Sequence, residues 1–188
     1  MKIFISGGCK NGKSSLAEKL SLQMRKKDAP LYYLATMIPS DNEDKDRIAK
    51  HQKARAGRGF ITAEAGRDMQ KALETLDTNG VFLLDSVTAL LANEMFPANG
   101  QINAGAYIKT AGDMSRMLDV IDCIVIVSDY IYADARVYDG LTEEYRRGLA
   151  YIDKKLAFLC DVVLEACGGN YIVHKGGETL KGLLNGHI

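Results

Sequence analysis

Apolar residues fall into two alternating arrangements along this chain. Short apolar runs at 3–5 (IFI), Leu31–Ala35 (LYYLA), Val81–Asp85 (VFLLD), 123–128 (CIVIVS) and 161–166 (DVVLEA) are separated by stretches in which apolar residues recur every three or four positions. The runs predict strands, and the continuous apolar character of 123–128 predicts cover on both faces, as in a parallel sheet. Phe60–Glu64 (FITAE) predicts another short strand, and Gly168-Gly169 leads to a closing strand around 171–173. The periodic stretches predict helices, marked by Leu16, Leu20 and Met24, by Met69, Ala72, Leu73 and Leu76, and by residues 86–95. Two more follow on Tyr107, Ala111, Met114 and Leu118, then on Tyr145, Leu149, Ile152, Leu156 and Leu159 behind a capping Thr142. Strand and helix in alternation predict an α/β fold, a mostly parallel sheet flanked by helices, with residues 1–188 as a single domain.

Residues 41–55 break this pattern. Asp41 reads as a helix cap with Glu43 and Asp44 in the first turn, yet only Ile48, Ala49 and Ala54 are apolar. Instead Arg47, His51 and Arg55 recur at i, i+4 and i+8. Two arginines beside a histidine would attract phosphate and favour a neutral imidazole, able to act as nucleophile or base; a plainly solvated face is the alternative. The aromatic, charged stretch 129–139 reads as a packed loop or a subunit contact before a substrate platform, and His174 and His187 in the tail have no partner at recognisable spacing.

A chain of 188 residues with 24 basic and 24 acidic side chains has material for a core but no net charge, which argues against nucleic-acid binding through a large basic face. No run reaches the roughly 18 residues of a membrane span. The absence of a leader before the first strand leads to an expectation of cytoplasmic residence. The four cysteines form no C-x-x-C pair and read as reduced thiols.

Candidate chemistry concentrates where the first strand meets the first helix. Residues 7–14, GGCKNGKS, fill a G-x-x-x-x-G-K-[ST] loop with Gly7, Gly12, Lys13 and Ser14 at the defining positions. Glycines let the backbone wrap a polyphosphate, so that N–H groups from Gly8, Cys9, Lys10 and Asn11 onward and the positive helix end point at the anion. Lys13 should reach the β- and γ-phosphates, and Ser14 a phosphate-bound Mg²⁺. Asp85, closing an apolar strand, is the second acidic site expected beside such a loop and a second Mg²⁺ contact. The fold class is therefore refined to the P-loop NTPase type, RecA-like.

With these motifs in order, the chain resembles the bifunctional adenosylcobinamide kinase/adenosylcobinamide-phosphate guanylyltransferase family of cobalamin biosynthesis. The matching residues run from GGCKNGKS through YLAT (33–36), RIAKH (47–51), TAE (62–64) and LLDSVT (83–88) to IVS (126–128). The resemblance implies phosphoryl transfer from ATP or GTP to adenosylcobinamide, then transfer of GMP from GTP to the phosphate so formed. His51 falls on the family's guanylylated histidine. Ala35, Thr36, Met37, Gln52, Lys53, Ala54, Arg55, Glu64 and Asp85 fall on nucleotide-contacting positions, and a homotrimer is implied. The chain departs from the family pattern at Lys10-Asn11 (Arg-Ser), Phe60 (Trp), Asp129-Tyr130 (Asn-Glu) and Asp153-Lys154 (Asn-Gln). A diverged P-loop kinase or nucleotidyltransferase with another acceptor, or a noncatalytic nucleotide-binding regulator, stands as the alternative.

Overall fold

The computed structural model describes residues 1–185; His187 lies outside the described residues, as does the side chain of Ala54. The elements are β1 (Lys2–Gly7), α1 (Lys13–Met24), β2 (Leu31–Ala35), α2 (Asn42–Arg55), β3 (Phe60–Glu64), α3 (Met69–Leu73) and β4 (Val81–Asp85). They continue as α4 (Val87–Met95), α5 (Ala106–Val120), β5 (Cys123–Asp129), α6 (Gly140–Leu159), β6 (Val162–Cys167), β7 (Asn170–Lys175) and α7 (Gly177–Asn185). One sheet of order β3-β2-β4-β5-β1-β6-β7 carries them, parallel except for the β6–β7 hairpin. The expected α/β, mostly parallel architecture is thus found.

The continuous apolar strands account for the layering. Alternate residues of β1 point to opposite faces: Ile3 and Ile5 join Leu20 of α1 and Leu180 of α7, whereas Phe4 joins Leu90, Met114 and Ile152 of α4, α5 and α6. Each such buried side chain contributes about 1.5–3 kcal/mol by leaving water. Among the described residues no helix is long and apolar enough to cross a membrane.

Two local expectations are corrected, and one helix had none. Asp139, not Thr142, caps α6: its carboxylate accepts the Leu141 and Thr142 N–H groups at 3.0 Å and the Thr142 hydroxyl at 2.7 Å. Helix α3 stops at Leu73, leaving Leu76 in a turn that bonds back to it. Helix α7 had no sequence expectation, because Gly177 and Gly182 interrupt its short apolar face.

Candidate nucleotide site

Strand β1 ends on Gly7 because nothing larger fits. A Cβ there would lie 2.7 Å from both the Ala166 carbonyl and Asn11 Nδ2, and Asn11 Nδ2 donates to that carbonyl. The loop therefore leans on β6. Gly12, at φ 93°, turns the chain into α1 and leaves its first turn without a side-chain cap, so those N–H groups are free for an anion. Cys9 and Lys10 are exposed at the tip. Lys13 is buried: its ammonium donates to the Gly8 carbonyl at 2.5 Å and to Asn11 Oδ1 at 3.3 Å, and pairs with Asp129 Oδ1 at 2.6 Å. Ser14, next on α1, is half-buried.

Asp85 closes β4 in register with Ala35 of β2 and Val127 of β5, two strands from β1. The Tyr33 hydroxyl donates to its Oδ2 at 3.2 Å, and burial followed by the Asp85 charge keeps that phenol protonated far above its ordinary range. Thr36 is wholly buried. It accepts the Ser86 N–H at 2.6 Å and donates to the Ser86 carbonyl at 2.8 Å, while its own carbonyl accepts from Asn93 Nδ2 at 2.7 Å. Its polar side chain thus clamps β2 to β4, and only the half-buried Ala35 and Met37 beside it keep partly open surface. Ser14 and Asp85 are hard oxygen donors suited to Mg²⁺ held largely by phosphates and water. Among the described residues no group of three or more His, Cys, Asp or Glu is arranged to hold a metal ion.

Helix α2 is tied to the sheet mainly at its C-terminal end, through Arg55 against Tyr33 of β2, with Arg58 just beyond it on Glu18 of α1. Asp41 caps it, accepting the Asp44 N–H at 2.8 Å as expected. Its two arginines do not jointly flank His51. Arg47 stays outside on Glu43 and Asp44, at 3.2 and 3.6 Å, whereas Arg55 is 6% exposed with its guanidinium 3.4 Å from the Tyr33 ring centroid. Its Nη1 has no hydrogen-bond partner among the described residues. Gln52 and Arg55, with Gly57, Gly59, Phe60 and Thr62, line an open cleft of about 430 Å³. Half-buried His51 and buried Arg55 both lie near Glu18 of α1, which bonds Arg58 at 2.8 Å; burial, against the pull of Arg58, raises the Glu18 carboxyl above its ordinary value. Lys53 and Glu64 are exposed, Glu64 ending β3 beside Ala35.

Beyond β5 lies a network that sequence reasoning missed. Asp153 of α6, 3% exposed, accepts the Ser128 hydroxyl at 3.0 Å and the Tyr132 hydroxyl at 2.9 Å, while its Oδ1 has no partner among the described residues. Burial pushes its carboxyl up to about 7 against those two bonds, with a smaller upward contribution from Asp129. The 130–139 segment is pinned at its base, where buried Arg146 bonds the carbonyls of Ile131, Arg136 and Asp134 and the carboxylates of Asp134 and Glu143, while residues 133–137 are exposed. His174 does have a partner, Glu165 Oε2 at 2.8 Å across the hairpin.

A parallel sheet whose first strand runs into this lysine-bearing loop, with an acidic strand end two places away, defines a P-loop NTPase-type nucleotide-binding fold. Solved structures agree on the fold. The flagellar accessory protein FlaH of Methanocaldococcus jannaschii superimposes with TM-score 0.51 at 14% identity, over 93% of this chain and 77% of that one. The KaiC-like protein PH0186 of Pyrococcus horikoshii OT3 gives 0.50 at 11%, over 93% and 78%. Within that class the chain belongs to the cobinamide kinase/cobinamide phosphate guanyltransferase family, which it matches over residues 3–173. It is 32% identical over 103 residues to the bifunctional adenosylcobalamin biosynthesis protein CobU of Salmonella typhimurium, a match that spans 54% of each chain and so about half the length of that relative.

Proposed function

We infer that this chain phosphorylates adenosylcobinamide with ATP or GTP and then passes GMP from GTP to adenosylcobinamide phosphate through His51. The observation that carries this beyond family membership is Arg55. A buried guanidinium stacked on Tyr33 with one nitrogen lacking a partner is a donor held ready for an acceptor that the protein does not supply, beside both the cleft and the His51 helix.

In the guanylyl half-reaction an imidazole nitrogen of His51 attacks the α-phosphorus of GTP. An N–P bond forms, and the bond to the β-phosphate oxygen breaks with its electron pair leaving on pyrophosphate. The loop N–H groups from Gly8 to Ser14 and the Lys13 ammonium take up that charge, and Arg55 steadies the nucleotide. An oxygen of adenosylcobinamide phosphate then displaces His51 from the same phosphorus. Mg²⁺ held through Ser14 and Asp85 would neutralise phosphate charge. Gln52, Lys53, Glu64 and the backbone of Ala35, Met37 and Ala54 border the nucleoside, and Thr36 sets the β2 terminus. Cytoplasmic residence and a homotrimer accompany this assignment through the family resemblance.

The test is intact-protein mass analysis after incubation with Mg²⁺ and GTP. Wild type should gain an acid-labile, alkali-stable GMP that a His51→Ala variant lacks. A variant labelled as fully as wild type removes His51 from the mechanism, and a wild type that never labels removes the guanylyl transfer.

A further inference from the structure

We propose that Glu18 is a positioning residue for guanylyl transfer, accepting a hydrogen bond from the His51 ring nitrogen that does not attack phosphorus; this rests on the guanylyl transfer inferred above. Glu18 stands on α1 one turn beyond Ser14, at i and i+4, and so on the helix face that meets the phosphates. It is 4% exposed. His51, Arg55 and Arg58 all converge on it from the α2 side, and Arg58 donates to its Oε2 at 2.8 Å. His51 and Arg55 are also four residues apart, so the imidazole is carried on the side of α2 whose arginine is drawn in over Tyr33. A carboxylate accepts several donors, and the Arg58 bond leaves room for an imidazole N–H.

An imidazole that attacks through one nitrogen carries its proton on the other, and the partner of that N–H decides which tautomer is held. Around Glu18 the choice of partner is narrow. Arg55 and Arg58 only donate, and the nearby Asp85 carboxylate already takes the Tyr33 hydroxyl at 3.2 Å. Length agrees with Glu18. Attack distance, ring and one hydrogen bond together span about 8 Å, within side-chain reach of the single helical turn of about 5.4 Å that separates Glu18 from Ser14. Charge points the same way. Burial raises the Glu18 carboxyl against the pull of Arg58, so a cation forming on the ring steadies a carboxylate that is costly to keep ionised.

The step balances. Neutral His51 forms its N–P bond to the α-phosphorus as the bond to the β-phosphate oxygen breaks, with the electron pair leaving on pyrophosphate. The other ring nitrogen keeps its proton, so the ring becomes a cation hydrogen-bonded to Glu18. When the acceptor phosphate displaces the ring, the N–P electron pair returns to the nitrogen and the neutral tautomer is restored with the same proton.

Glu18→Gln keeps the size and an acceptor for Arg58 but removes the charge. In a rapid-quench single turnover with saturating α-labelled GTP, the rate constant for labelling His51 should fall about 10- to 100-fold while the GTP dissociation constant stays within about threefold. Arg58→Ala breaks the ion pair and keeps Glu18; because Arg58 is itself exposed, labelling should stay within about fivefold of wild type. With a GTP analogue carrying a methylene between the α- and β-phosphorus atoms, proton–nitrogen correlation spectra should show His51 in one tautomer in wild type and in two in Glu18→Ala. Glu18→Gln labelling as fast as wild type overturns the proposal while guanylyl transfer stands. An equal loss in Arg58→Ala, or one unchanged tautomer in Glu18→Ala, does the same by reducing Glu18 to an anchor for the arm. A wild type that never labels, measured first, overturns both the proposal and the guanylyl transfer.

Discussion

The phosphate-loop corner and the α2–β3 arm are held together by opposite means. At the corner Lys13 is buried within hydrogen-bond distance of Gly8, Asn11 and Asp129, and Ile3, Ile5, Leu20 and Val125 pack without exposure above 2%. In α2, among the described side chains, only Arg55 is buried, and β3 exposes Ile61 and Thr62. The arm rests on Arg55 against Tyr33 and Arg58 against Glu18. A phosphate cradle must be rigid before the anion arrives, because its donors act without reorganising. On the mechanism proposed above, a nucleophile that attacks, is modified and then gives up its nucleotide is better carried on an element whose position depends on polar contacts that ligands can exchange.

The most damaging change at the rigid side is Lys13→Ala. It removes the charge that meets the phosphates and leaves Asp129 facing them alone, so kcat/KM for nucleotide in both half-reactions should fall by at least about 1,000-fold, measured with α- and γ-labelled GTP. A fall in one half-reaction only would show that the two use different phosphate sites. Arg55→Ala should act on the other side, lowering GMP labelling of His51 by about 10- to 100-fold, mostly through KM. Arg55→Lys should not restore it, since an ammonium lacks the planar stack over Tyr33. Full rescue by lysine would reduce Arg55 to a simple charge.

A third change sharpens the contrast through pH. The Asp153 carboxyl is raised from 3.8 to about 7 by burial, so it favours the folded state fully below pH 4 and loses that contribution as pH climbs through 7. Relative to wild type, Asp153→Asn should therefore gain about 3 kcal/mol between pH 4.5 and 8, whatever constant offset the buried amide adds. Denaturant melts at the two pH values measure it. Parallel curves would mean that the carboxyl is not held by burial.

Most of the corner was legible in the sequence because its physics is local. The loop glycines, Lys13 and the apolar strands are fixed by near neighbours, and β1, β2, β4 and β5 lie within a residue or two of their expected places. What escaped depended on distant pairing. Ser128, Tyr132 and Asp153 meet only after α6 packs on β5, and Glu165 reaches His174 only in the register of the β6–β7 hairpin. Arg47 and Arg55 share a face on a helical wheel only loosely, since eight residues overshoot two turns by about 80°. Tyr33 then draws one of them inward. Thr142 and Asp139 are both capping residue types three positions apart, and the carboxylate prevailed by taking two N–H groups and the hydroxyl at once.

The smallest expected effect bears most directly on whether the arm is a separate cooperative unit. Asp41→Ala removes the carboxylate that accepts the Asp44 N–H, at a cost of about 1 kcal/mol to α2. If α2 opens independently of the sheet, amide exchange across 42–55 should accelerate about fivefold while the global melting temperature stays within about 2 °C of wild type. GMP labelling of His51 should then decline by a similar small factor, and saturating GTP should restore exchange protection, because bound nucleotide supplies the acceptor that Arg55 Nη1 lacks. A melting temperature that falls by several degrees with no local acceleration would mean that α2 unfolds only with the core. The contrast between a fixed cradle and a ligand-dependent arm would then be lost.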